Sequence, residues 1–252
     1  MVLLCSPGFS SQAVFGALRS RFPSFAVILE EPVSTAALAL RRIRRLGVLK
    51  VLGQIAFVLL AQRLLGLLSR RRVAAITADM QVPPAEELRR VAYRVPSANS
   101  PEAVATLKRL APKIVVVNGT RLLTKRILES VDAPFINTHM GITPLYRGVH
   151  GGYWALVEKR PDLVGTTIHY VDAGIDTGGI IRQIGFEVAP PDNFATYPYL
   201  HIKSALPALL EVAVQILAGQ QPATVSIDLP SRVRTHPTLF EYLFYRCIRK
   251  VK

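Results

Sequence analysis

Asn137 and His139 stand two residues apart, directly after the apolar pair Phe135-Ile136. Asp176 follows in the glycine-punctuated stretch Asp172-Ala-Gly-Ile-Asp-Thr-Gly-Gly179. An amide, an imidazole and a carboxylate are suited to taking a proton from an amine and holding a developing oxyanion. Side chains on a strand alternate with period two, so Asn137 and His139 share a face and can aim at one bound group. Gly174, Gly178 and Gly179 let the backbone that carries Asp176 bend tightly. A carboxylate brought beside an imidazole also fixes its tautomer. Taken singly, each residue is ordinary: a strand-end Asn forms turns, a lone His is a satisfied polar group, and Asp in D-x-G is turn chemistry. Their combination is what points to catalysis.

The Gly/Pro-rich loop after His139 supplies the substrate-side candidates Thr143, Tyr146, Arg147 and His150. A guanidinium fork suits phosphate oxygens, and Arg147 fits that role and the role of a solvated loop charge equally. Tyr146 and Trp154 read as packing residues before they read as base-stacking platforms. His150, His169, His139 and Asp176 together invite a metal reading, but none has a recognised ligand spacing, so no metal site is assigned. Cys5 and Cys247 likewise lack a second cysteine at ligand spacing.

Elements of an α/β fold surround these residues. Val2–Cys5, followed by Ser6-Pro7-Gly8 and an apolar-periodic stretch, reads as strand, turn and helix, the opening of a doubly wound sheet. It is not the GxGxxG dinucleotide fingerprint, so neither NAD nor FAD is inferred. Phe25–Leu29 and Ile114–Val117 are predicted strands, with Asn118-Gly119-Thr120 at the strand-end position where open sheets place ligands. Ser100-Pro101-Glu102 opens a helix to about residue 110: an N-cap hydroxyl, Pro in the first turn, then an acid near the positive helix end. A helix is predicted over 124–130, a strand over 135–138 and a helix over 153–159. Thr166–Val171 and Ile180–Val188 read as strands flanking the Asp176 loop and antiparallel to one another. Residues 197–218 are helical, with Pro207 implying a kink or a late start, and a short helix closes the chain over 239–248. Residues 79–101 carry turn signals at Pro83-Pro84 and Pro96.

Residues 36–73 are unusual. Nine basic residues (Arg41, Arg42, Arg44, Arg45, Lys50, Arg63, Arg70, Arg71 and Arg72) occur there with no acidic partner, around the apolar run 46–68. Lys50, Gln54, Gln62 and Arg63 interrupt that run, and its apolar residues fall close to one helical stripe. Two helices covering the sheet or a homodimer interface are the first reading, peripheral membrane contact the second, and a transmembrane span the last.

Half of the 252 residues are hydrophobic, enough for a substantial core. The net charge of +14 attracts phosphorylated small molecules, polyanions or anionic lipid, and does not choose among them. The N-terminus lacks the basic start and apolar length of a secretory signal, so a reducing, cytoplasmic location is expected, membrane-peripheral if 36–73 docks there.

The segment 135–183 resembles the catalytic core of the folate-dependent formyltransferases. Asn137-Thr-His139 matches their Asn-x-His strand end, Thr143-Pro144 with Tyr146-Arg147-Gly148 their Pro-containing loop, and Asp176-Thr-Gly178 their later Asp loop, with fitting spacing. The resemblance is clear over about residues 80–190. It implies a Rossmann-like, mostly parallel sheet flanked by helices, a catalytic domain over 1–190, and a helical extension over 191–252. It further implies N10-formyltetrahydrofolate as donor and a primary amine as acceptor. By that resemblance His139 is the base-side group and an oxyanion stabiliser once protonated, Asn137 donates to the same oxygen, and Asp176 orients His139 or relays the amine's proton. The pterin would lie against Asn118, Gly119, Thr120 and Leu122, and against Val171, Gly174 and Thr177. Glycinamide-ribonucleotide enzymes follow the His with Pro-Ser-Leu-Leu-Pro, where this chain has Met140-Gly-Ile-Thr-Pro144. Initiator-tRNA enzymes add a C-terminal β-domain that the mostly helical stretch after Gln183 does not match. Thr167-Ile-His-Tyr170 and Gly174-Ile-Asp-Thr-Gly178 are more similar to enzymes acting on nucleotide-linked amino sugars. The expected partner is therefore a small phosphorylated amine rather than a specific nucleic acid, with glycinamide ribonucleotide the alternative. A membrane- or polyanion-binding protein without activity is the reading from another class.

Overall fold

The computed structural model describes residues 1–252. In chain order the strands are β1 (Val2–Cys5), β2 (Ala26–Glu30), β3 (Ala92–Val95), β4 (Val115–Asn118), β5 (Phe135–His139), β6 (Arg147–Gly148), β7 (Gly165–Tyr170), β8 (Ile180–Gly185) and β9 (Val233–Arg234). The α-helices are α1 (Phe9–Arg21), α2 (Thr35–Leu46), α3 (Val48–Ala56), α4 (Arg63–Leu68), α5 (Arg70–Thr77), α6 (Ala85–Val91), α7 (Pro101–Leu110), α8 (Lys125–Leu128), α9 (Gly151–Val157), α10 (Tyr197–Leu217) and α11 (Leu239–Ile248). A π-helical segment, Phe57–Gln62, joins α3 to α4.

Seven strands form one sheet in the order β3-β2-β1-β4-β5-β7-β8. Pairing is parallel from β3 through β5, then antiparallel from β5 to β7 and from β7 to β8. Period-two alternation sorts the strand residues onto two covered faces. Leu3, Cys5, Val27, Leu29, Val116 and Ile136 pack with α1 and α10 on one side. Val2, Leu4, Ile28, Val115, Val117 and Phe135 pack with α7 and Ile127 on the other. Burial pushes the Cys5 thiol up to about 12, so it is a packing group rather than a nucleophile. A separate cluster gathers Phe57, Tyr146, Tyr153, Trp154, Phe194, Tyr197 and Tyr242 beyond the antiparallel end of the sheet.

Three features differ from the sequence-based expectations. Between the turn positions Pro83-Pro84 and Pro96, where no element is assigned from the sequence, residues 85–95 form α6 and β3: Pro84 is the N-cap of α6, and β3 is a short edge strand pairing only with β2. Residues 36–73 form more than two helices, because Gly47, at φ +82°, ends α2 and Ser69 separates α4 from α5. Residues 191–252 do not stand outside the catalytic domain. Ile202, Leu209 and Val212 of α10 fill the main core, and β9 pairs with β6. Pro207 lies inside α10 without ending it.

Candidate active site

β4 and β5 end side by side, and their C-terminal ends open onto a cavity of about 520 Å³, within the range of small-molecule sites. Three chain segments wall it: 117–123 after β4, 171–176 after β7, and 148–150 before α9. Asn137, His139, Asp176 and His169 line its floor.

The β4 loop is fastened from below. Glu30, buried at the end of β2, accepts from the Arg121 backbone N–H (2.9 Å) and from that of Ala98 (2.9 Å). Asn99 accepts from the Thr124 N–H and donates to the Leu122 carbonyl (2.8 and 2.9 Å). Ser6 donates to the Gly119 carbonyl, and Asn118 donates to Ser10 and Ser11. The expected pterin wall, Asn118, Gly119, Thr120 and Leu122, thus lines the cavity with its backbone held in place.

His139 is 5 % exposed. Its Nε2 lies 2.7 Å from the carbonyl oxygen of Tyr146, which can only accept, so the proton sits on Nε2. Nδ1 faces Asp176 Oδ2 at 3.3 Å. Asp176 is at φ +50° and its Oδ2 accepts from the Gly148 N–H at 2.9 Å, so backbone fixes the carboxylate. Gly141 permits the approach of His139 to Tyr146: a Cβ there would lie 2.4 Å from the Tyr146 carbonyl oxygen and 2.9 Å from Nε2.

His169 is brought in by the β5/β7 register, which sets it opposite Asn137. Its Nδ1 donates to the Tyr170 carbonyl at 2.6 Å, so Nε2 carries the lone pair. The Asn137 amide nitrogen lies 3.2 Å from that Nε2, and Asp176 Oδ1 lies 3.7 Å from it. Burial holds the His169 imidazole below its ordinary range, against the opposing pull of the Tyr170 carbonyl and Asp176.

The remaining candidates divide. Val171 and Gly174 line the cavity, whereas Thr177 is exposed and outside it, its hydroxyl donating to Asp172. His150 lines the cavity, and its Nε2 lies 2.9 Å from Nδ1 of His236. Burial, then repulsion from His236, holds His150 well below the ordinary imidazole range. Arg147, Tyr146 and Thr143 are not in the cavity lining. The Arg147 guanidinium donates to the Ile175 carbonyl at 3.0 Å, so this arginine staples the Asp176 loop and is not presented to a substrate phosphate. The Tyr146 ring is fully buried and its hydroxyl donates to Glu158. Thr143 is buried, its N–H donating to Thr167 and its carbonyl accepting from Gln183. Sequence reasoning assigned no site role to His169, Glu30 or Arg121. His169 lies in an alternating strand pattern and was separable only by its register opposite Asn137; Glu30 and Arg121 act through contacts distant in the chain.

Chemically, the floor presents one imidazole nitrogen free to exchange a proton (His139 Nδ1), a carboxylate beside it, and an amide oriented by a second imidazole. That set suits acyl transfer to an amine.

Known proteins match this chain in sequence and in fold. Residues 65–203 match the family model described as formyl transferase. A methionyl-tRNA formyltransferase from Syntrophus aciditrophicus is 33 % identical over 129 residues, covering 50 % of this chain and 40 % of that protein. The match therefore spans about two fifths of that relative's length. Among solved structures, a sugar N-formyltransferase from a Shewanella species superimposes with a TM-score of 0.57 at 15 % identity, covering 92 % of this chain and 75 % of the other. An N-formyltransferase from Helicobacter canadensis, in complex with folinic acid and dTDP-3-aminofucose, gives 0.56 at 14 % identity, covering 92 % and 70 %. At these identities the structural likeness is one of fold.

Proposed function

The chain belongs to the formyl transferase family, and from that membership we propose that it is an N-formyltransferase. It moves a formyl group from N10-formyltetrahydrofolate to the primary amine of a small phosphorylated acceptor, a nucleotide-linked amino sugar. The observation that carries this reading is the convergence of Asn137, His139 and Asp176 on the floor of one cavity. The cavity, about 520 Å³, has the size of a small-molecule site. Its upper wall is backbone, able to face a flat heterocycle, and the Gly119 backbone, at φ +68°, turns there without a side chain in the way.

In the reaction the acceptor nitrogen bonds to the formyl carbon as the bond from that carbon to the donor nitrogen breaks. One proton leaves the acceptor nitrogen and one is returned to the donor nitrogen. His139 Nδ1 is the atom placed to receive the first, because Nε2–H is committed to the Tyr146 carbonyl. The resulting imidazolium lies beside the Asp176 carboxylate, 3.3 Å away, and that carbonyl. The Asn137 amide, held by His169, supplies a donor to the oxygen on which negative charge develops. Asp176, fixed by the Gly148 N–H, holds His139 in orientation and offers an onward acceptor for the proton.

The choice of a nucleotide-linked amino sugar is supported by the solved relatives named for sugar substrates and by the basic surface. The two unpaired cysteines suit a reducing, cytoplasmic setting. The test is formyl transfer read by mass spectrometry. Wild type and His139→Ala are incubated with N10-formyltetrahydrofolate and a pool of nucleotide amino sugars, glycinamide ribonucleotide and methionyl-tRNA. A formylated amino sugar made only by wild type is the expected result. Formylation of another pool member moves the acceptor assignment to it, and absence of both product and folate binding removes the enzymatic reading.

A further inference from the structure

Beyond formyl transfer, the geometry points to a docking face for an anionic lipid bilayer, built from the helical run 35–68 together with α11. The two parts are side by side. Phe57 of the π segment packs at a tilt against Tyr242 of α11 (ring centroids 5.1 Å), and a Cβ on Gly53 would lie 2.9 Å from Thr238 Cβ. Val51, Gln54 and Phe57 point inward and are buried. What remains outward is apolar: Leu49 is 86 % exposed and Phe240 83 %, with Leu52, Leu60, Phe244 and Ile248 exposed beside them. Phe240, Phe244 and Ile248 recur at helical spacing, so one whole stripe of α11 is unpartnered.

The charge around this apolar surface selects its partner. Arg41, Arg44, Arg45 and Lys50 are exposed next to it, and Arg246, Arg249, Lys250 and Lys252 follow from α11. From Pro32 to Ala78 there is no acidic residue. The acid of α11, Glu241, is turned back onto the Thr238 N–H in a capping box. A two-fold pairing with a second copy would set like charges against like. Anionic headgroups complement the cations while the Leu and Phe side chains enter the headgroup–acyl boundary. Val48–Leu68 is long and apolar enough to cross a membrane, yet Val51, Gln54 and Phe57 tie it into the fold and Lys50 and Arg63 interrupt it. It therefore lies along a bilayer and not through it. The face also sits one side-chain layer behind the cavity: Gln54 donates to the His236 carbonyl at 2.8 Å, and His236 bonds His150 on the cavity wall.

Co-sedimentation of the full chain with vesicles of phosphatidylglycerol and phosphatidylcholine, against phosphatidylcholine alone, tests this. Binding only to the anionic vesicles, falling steeply as salt rises, is expected. Replacing Arg41, Arg44 and Arg45 with Gln should weaken it at least about tenfold at low salt. The pair Leu49→Glu and Phe240→Glu should abolish it, while near-ultraviolet circular dichroism stays that of wild type. Wild type that ignores anionic vesicles overturns the proposal, as does binding unchanged in the Glu pair. Sedimentation equilibrium showing a dimer that the Glu pair dissociates also overturns it, in favour of a second copy. Loss of formyl transfer in any catalytic variant leaves vesicle binding unaffected, so the two readings fail separately.

Discussion

The amide nitrogen of Asn137 lies 3.2 Å from Nε2 of His169, its direct partner across the antiparallel β5/β7 ladder. With His169 Nδ1–H given to the Tyr170 carbonyl, Nε2 must receive the amide N–H. One imidazole thus sets which way the Asn137 amide presents its remaining N–H to the cavity.

This makes His169 a positioning residue. Asn137→Ala should cost about 3 kcal/mol of barrier, as loss of an oxyanion donor does. His169→Ala should lower kcat about tenfold with KM little changed, and adding it to Asn137→Ala should cost almost nothing more, because the two act through one amide. Additive losses in steady-state kinetics would separate them.

Removing the proton acceptor is the harsher change. His139→Ala and Asp176→Asn should each lower kcat by about 10²–10⁴ while leaving the far-ultraviolet spectrum intact. Near-normal turnover in either variant would take that residue out of the mechanism.

Gly141→Ala tests the packing beneath His139. The added methyl would meet the Tyr146 carbonyl at 2.4 Å and Nε2 at 2.9 Å, and both belong to a buried loop. Overpacking of this kind costs about 1–3 kcal/mol. The expected result is a lower urea midpoint together with a lower kcat, since the same contact fixes the imidazole.

Acid should destabilise the fold through two buried imidazoles. Burial pushes His236 down to about 4, with help from Arg42, and His201 down to about 3, with help from His139. Both folded values lie below the unfolded value of 6.5, so the unfolded chain binds more protons as pH falls. Stability should be level above about pH 6.5 and decline from there through about pH 4, where His236 charges in the fold, to about pH 3, where His201 does. Thermal unfolding across that range should show a shallower decline for His236→Gln than for wild type.

Much of this was legible in the sequence, for identifiable reasons. Asn137, His139 and Asp176 stood out because strand alternation and glycine punctuation are local signals, and the closing helix lies over the expected residues 239–248, where the structure adds a Thr238/Glu241 capping box. Tyr146 and Arg147 were misplaced because the 140–150 loop folds back: Tyr146 spends its ring in the core and Arg147 reaches the Ile175 carbonyl 28 residues on. Glu30 and His169 were overlooked for the complementary reason. One is a buried strand-end acid whose partners lie 68 and 91 residues away, and the other gains its role only from cross-strand register.

The β7/β8 ladder slips by one residue between Ile168 and His169, because Ile168 pairs with Arg182 and His169 with Ile180. Ile181 is thus a surplus residue in β8, partly buried against the main core and outside the cavity. Surplus residues of this kind increase local twist and re-aim a neighbouring side chain. The position should accept another apolar side chain readily, while deleting it would regularise the ladder where β8 leaves the Asp176 loop, with His169 still opposite Asn137 in the β5/β7 register. At this hairpin the number of residues matters as well as their identity, because a change of length would move the loop that carries Asp176 while leaving every proposed catalytic group in the sequence.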